Sequence, residues 1–158
     1  MGVPFKVGVH ETRKKRVPAF GTPLQELCMS KCFGLHVPSV LVVLWLALLE
    51  AKGAEVEGIF RLAPSASERE DVLREIGAGC LRRGHTAEAI ATVIKIFFRK
   101  LPRGGLLGAL PPDVIEGVVT QQDGAARMMA TLPAESADAL RWVVQVIRHI
   151  SKKSDVNR

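Results

Sequence analysis

Glu57-Gly58-Ile59-Phe60-Arg61 is the stretch on which the reading of this 158-residue chain turns. It falls between two segments of helical character and reads as a loop. Gly58 permits backbone angles that other residues resist. Ile59 and Phe60 are apolar and pin such a loop to a core. Arg61 then stands on a fixed base and points outward. A guanidinium so placed suits the delivery of positive charge to phosphate in another molecule. Its planar fork stays ionised and binds oxyanions bidentately.

The flanking sequence supports a loop at this point. Pro38 to Lys52 is a central helix, apolar almost all round and therefore covered on most sides. Its Val-rich start also suits a buried strand, but its length and the ending Ala47-Leu48-Leu49-Glu50-Ala51-Lys52 favour helix. Gly53 is the stop signal. Beyond the loop, Ser67-Glu68-Arg69-Glu70 forms a capping box, opening a helix that runs to about Ile76 and ends at Gly77 and Gly79. Thr86 to Lys100 is the next helix. At about 100° per residue, Ile90, Val93, Ile94, Phe97 and Leu101 share one stripe, while Lys95 and Arg99, four apart, fall together opposite it. Alone, two such cations are ordinary surface charges.

Outward from this centre the chain is less informative. Pro23 to Cys32 reads as a first helix. Cys28, Cys32 and His36 are spaced by four, but zinc requires a fourth ligand and Phe33-Gly34 interrupts the series, so buried thiols are the expectation. Pro102 to Gly108 is a Gly-rich connection without the Lys-Ser/Thr pair of a P-loop. Short helices follow at Pro112 to Val119 and at Ala125 to Thr131, with Met128 and Met129 as packing residues. A last long helix spans Ser136 to Lys152, with Ser136 as N-cap and Leu140, Val143, Val144, Ile147 and Ile150 inward.

Composition sets the remaining bounds. The chain has the length of about one domain and is 47% hydrophobic, enough for a core. The net charge is +6. Residues 1–19 and residues 141–158 each carry +4, leaving 20–140 slightly acidic. The body is thus not a basic nucleic-acid domain. Two Trp, six Phe and no Tyr argue against a base-stacking platform. Residues 1–19 read as a flexible basic arm around Arg13-Lys14-Lys15-Arg16, either a solvated tail or a contact for acidic lipid or an acidic partner. Three cysteines and no recognisable leader fit a reducing, cytoplasmic setting, with the arm allowing peripheral contact at the plasma membrane. The longest apolar run, Val40 to Leu49, is too short to span a bilayer. No Ser-His-Asp set, carboxylate pair or metal cluster makes a self-contained active site.

Taken together, these segments resemble the RhoGAP domain, the GTPase-activating module for Rho-type small G proteins. The resemblance rests on Phe20-Gly21 with Pro23-Leu24, Val37-Pro38, Gly58-Ile59-Phe60-Arg61, the run Val93 to Pro102, and Val156-Asn157-Arg158, in that order. Leu101-Pro102-Arg103-Gly104-Gly105 with Leu110-Pro111 is most similar to the plant Rop-type branch. The resemblance implies an all-α, RhoGAP-like helical bundle over 20–158. It also implies that family segments beyond Arg158 are missing here, which would leave an apolar face uncovered. It makes Arg61 the arginine finger, with Gly58, Ile59 and Phe60 anchoring its loop. Lys95 and Arg99 match residues that contact the G protein and brace that loop. The implied partner is a Rho/Rac/Rop-family GTPase in its GTP-bound state, and GTP and Mg²⁺ belong to that partner, so no cofactor is expected on this chain. A GTPase-binding module without activating power is the alternative. The chain departs from the family pattern at Leu62-Ala63-Pro64-Ser65, where a glycine is usual, at Gly84-His85, where Asp precedes His, and at Lys100, where Glu is usual.

Overall fold

The computed structural model describes residues 17–154. The basic run Arg13–Arg16 and the terminal Val156-Asn157-Arg158 lie outside them. Among the described residues the architecture is helical, as the resemblance implies: six α-helices and one two-stranded hairpin. No helix there is long and apolar enough to cross a membrane.

The hairpin is the first correction. Leu24–Glu26 forms only one 3₁₀ turn, and the chain then extends as β1 (Met29–Cys32) and β2 (Leu35–Pro38). Met29 pairs with Pro38 and Cys32 with Leu35, antiparallel. Phe33 (φ +53°) and Gly34 (φ +76°) make the turn, the two-residue geometry that matches strand twist. The Ser39 N–H donates to the Cys28 carbonyl at 2.8 Å and continues the pairing, and one tertiary bond holds the hairpin: the His36 N–H donates to Asp138 Oδ2 at 3.0 Å. Strand pairing also overturns the buried thiols. Cys28 is exposed, Cys32 half-buried, and Cys80 exposed on a later loop.

Helix α1 (Ser39–Glu50) is the central helix, with Leu41, Leu44 and Leu48 fully buried. It ends on Lys52, which takes the left-handed conformation itself (φ +56°), so the stop is Lys52 and not Gly53. Gly53 serves packing: a Cβ there would collide with the Leu48 side chain. Helix α2 (Ala66–Gly77) starts one frame earlier than Ser67 suggests. Ser65 is its N-cap, accepting from the Glu68 N–H, while Glu68 Oε2 accepts from the Ser65 N–H at 3.2 Å. The sequence offers two overlapping Ser-x-x-Glu frames, and the upstream one lies beside Pro64, outside the helix.

Helix α3 (Ala87–Arg99) begins at its N-cap Thr86 and buries Ile90, Val93, Ile94 and Phe97 against α1 and α2. Helices α4 (Pro112–Thr120) and α5 (Gly124–Thr131) pack on each other through a small second core of Leu110, Val114 and Leu132, with Met128 and Met129 against it. Helix α6 (Ala134–Ser154) starts before Ser136, which therefore lies in its first turn and is not its N-cap. Its fully buried positions are Ala139, Trp142 and Val146. Val144 and Ile147, expected inward, are 42% and 53% exposed. Five of the six positions from Trp142 to Ile147 are apolar, and over so dense a run periodicity cannot choose between adjacent stripes.

Candidate functional site

The stretch 57–61 is a turn. Gly58 sits at φ +65°, in the left-handed region that favours glycine. Its carbonyl accepts from the Arg61 N–H at 2.6 Å and from the Leu62 N–H at 3.3 Å, closing the turn on itself. Ile59 is 2% exposed and belongs to the main core; Phe60 is half-buried against the same core. The chain therefore cannot swing at residues 59–60 without pulling apolar surface into water.

Arg61 follows immediately and is exposed. Among the described residues its guanidinium has neither a hydrogen-bond nor an ion-pair partner. Its Nε runs back over the turn, where a Cβ at Gly58 would come within 4.0 Å of it. The side chain is thus held at its root and free at its tip. An exposed, unpaired guanidinium has all five donors available to an incoming oxyanion.

Helix α3 reaches this loop from below. Lys95 is half-buried, and its Nζ donates to the Phe60 carbonyl at 2.8 Å. The contact spans 35 residues of sequence and ends on the peptide preceding Arg61. A charged donor on a loop carbonyl is a strong, directional tether. Arg99 lies one turn further along α3, exposed and without a described partner. Lys100, the C-cap residue, is exposed as well. The loop and the end of α3 thus present Arg61, Arg99 and Lys100 without a described carboxylate to neutralise them.

Sequence reasoning missed the polar cluster between α2 and α3. Glu75, in the last turns of α2, is only 6% exposed. Its Oε2 accepts from the Arg82 N–H at 2.8 Å and lies 2.7 Å from His85 Nε2, and its Oε1 lies 3.2 Å from Arg82 Nε. Burial alone would raise this carboxyl; the Arg82 amide, His85 and the Arg82 charge outweigh it and leave Glu75 below its ordinary range. Glu68, two turns earlier on the same face, is also lowered, chiefly by the Ser65 hydroxyl and amide, with a further contribution from Thr86. Arg83 bonds Glu50 at 3.1 Å, tying the same connection to the end of α1. The available signal was the spacing Glu68, Val72, Glu75, which puts both carboxylates on the stripe that holds the buried valine.

Comparison with known proteins gives this geometry its context. The RhoGAP domain profile matches residues 38–158. Rho GTPase-activating protein 3 of Arabidopsis thaliana is 29% identical over 143 residues, which cover 90% of this chain and 31% of that protein. Rho GTPase-activating protein 2 of the same plant is 26% identical over 162 residues, covering all of this chain and 37% of the relative. The T-cell activation Rho GTPase-activating protein of Homo sapiens is 32% identical over 152 residues, covering 88% of this chain and 19% of the relative. The chain thus spans about a third of the length of the Arabidopsis relatives it matches. With the profile running across most of the helical core and across both the Arg61 loop and α3, the chain belongs to the RhoGAP domain family.

Proposed function

We propose that this chain is a GTPase-activating domain for a Rho-type small GTPase and that Arg61 is its arginine finger. The observation that carries the reading is the Arg61 loop: rooted by Ile59, tethered by Lys95 at the Phe60 carbonyl, and ending in an exposed guanidinium with no described partner. The relatives' names, each a Rho GTPase-activating protein, support the partner class.

In this reading the chemistry is divided between two proteins. The GTPase, in its GTP-bound state, holds the nucleotide, Mg²⁺ and the attacking water. This chain docks through the exposed cations at the end of α3 and inserts Arg61 beside the β/γ-phosphate bridge. The guanidinium offsets the charge that grows there as the bond breaks. Such a finger supplied in trans is worth ~10³–10⁵ in rate, or roughly 4–7 kcal/mol of barrier. Lysine at position 61 cannot replace it, because a point charge lacks the bidentate fork. The resemblance of the run Leu101 to Gly105 to the plant branch supports a target of the Rac or Rop class. The basic run Arg13–Arg16 is the segment through which the chain would touch an anionic membrane.

The test is single-turnover hydrolysis by a GTP-loaded Rac-class GTPase, alone and with wild-type or Arg61→Ala chain. Acceleration by wild type that Arg61→Ala abolishes is the expected result. Equal rates with both, alongside retained complex formation, would identify a GTPase-binding module instead.

A further inference from the structure

We propose that Glu75 is a positioning residue for Arg61. Its buried carboxylate locks the α2–α3 connection and so fixes the helix that tethers the finger loop. The proposal rests on the reading of Arg61 as the finger and assigns the device that keeps it in place.

The connection between α2 and α3 has little of its own to hold it. Between Gly77 and Thr86 it holds Gly79 (φ +75°) and Gly84 (φ +96°), both in conformations that other residues resist. No residue in 78–85 is fully buried. Apolar packing therefore fixes this segment weakly. Glu75 compensates with three contacts from one carboxylate, to the Arg82 amide, the Arg82 side chain and His85. His85 is the residue before Thr86, the N-cap of α3, so the clamp closes where α3 starts.

The clamp also completes a circuit. From Arg61 the chain runs through Leu62–Pro64 to the Ser65 cap and along α2 to Glu75. Glu75 holds residues 82 and 85, from which α3 leads to Lys95, and Lys95 returns to the Phe60 carbonyl. Arg61 sits inside this closed ring of contacts. Cutting the ring at Glu75 leaves α2 and α3 joined by their apolar packing and the Glu68–Thr86 contact, a looser join, and the Lys95 tether moves with α3. A buried carboxylate is costly to desolvate and fixes geometry only when its partners are in place. Such a group holds one inter-helix angle where an apolar residue would accept several.

Two measurements on the full chain separate this role from plain stabilisation. In Glu75→Ala, amide exchange at Arg61 and Leu62, both bonded to Gly58, should quicken by about tenfold, while Trp142 and Val146 in α6 keep their wild-type protection. GTP hydrolysis by a Rac-class GTPase should lose about tenfold in kcat with KM changed by less than about twofold, as for a misplaced catalytic group. Glu75→Gln, which keeps an acceptor for the Arg82 amide, should restore most of both. The milder His85→Ala removes one contact and should shift finger-loop exchange in the same direction if Glu75→Ala does not fold. Unchanged exchange at Arg61 and Leu62 in these variants overturns the proposal, as does a uniform loss of protection that includes α6. The exchange measurement needs no GTPase, so it stands or falls apart from the finger assignment, which Arg61→Ala tests.

Discussion

Lys95→Met isolates the tether without disturbing the core. The methionine keeps the length and apolar stem of lysine but loses the charged donor to the Phe60 carbonyl. That bond is 2.8 Å long and partly shielded from water. Hydrogen bonds from charged groups are worth about 1.5–3 kcal/mol net. Partial exposure places this one toward the lower end, about 1.5 kcal/mol. At 1.4 kcal/mol per factor of ten, the finger loop should open about ten times more often. The Gly58 carbonyl, Ile59 and Phe60 still hold the turn, so the loop loosens without unfolding. Hydrolysis should fall by about tenfold at most, well short of the ~10³-fold or greater loss expected for Arg61→Ala. The decisive assay is a double-mutant cycle on single-turnover rates. If Lys95 acts only by holding Arg61, then Lys95→Met in an Arg61→Ala background costs nothing further. Fully additive losses would refute the tether reasoning and make Lys95 an independent contact with the GTPase.

Three further outcomes follow from the same geometry. Gly58→Ala forces a β-carbon onto a residue at φ +65° and should cost about 1–2 kcal/mol, read by urea denaturation; an unchanged midpoint would show that the turn does not need its left-handed glycine. Glu75 has a folded-state carboxyl below its ordinary value of 4.5, so its stabilising effect is present above that pH and is lost as pH falls through the folded value. Melting temperature should therefore decline below about pH 5, and Glu75→Gln should flatten that limb; a parallel decline in both proteins would be the contrary result. Thr92 Oγ1 is buried in α3 without a partner among the described residues, so Thr92→Val should be neutral or stabilising by up to about 1 kcal/mol in thermal melts. A clear loss of stability would mean the hydroxyl has a partner in solution.

The legible parts of this chain were those where a local signal has one physical meaning. Glycine followed by two apolar residues and an arginine reads as a rooted turn with a charged tip, and the turn, the buried Ile59 and the exposed Arg61 are all present. The stripe Ile90, Val93, Ile94, Phe97 in α3 was legible because polar residues separate it from the opposite face. Signals that local physics leaves degenerate were misread. Ser65 and Ser67 each stand three residues before a glutamate, and only the emerging helix axis selects Ser65. In α6 five of the six positions from Trp142 to Ile147 are apolar, and the neighbours of Trp142 and Val146 decide which of them face the core.

The sequence by itself determined a helical domain with an arginine on an anchored loop, because glycine conformation, apolar periodicity and charge placement act within a few residues of one another. Only the tertiary structure decided that residues 29–38 pair as strands, since Asp138 holds the His36 amide from elsewhere in the fold. It alone decided that Lys95 grips the Phe60 carbonyl and that Glu75 closes the α2–α3 connection. Those bonds join residues through space, across 35 positions in one case, and their strength depends on directions and burial that no stretch of sequence carries.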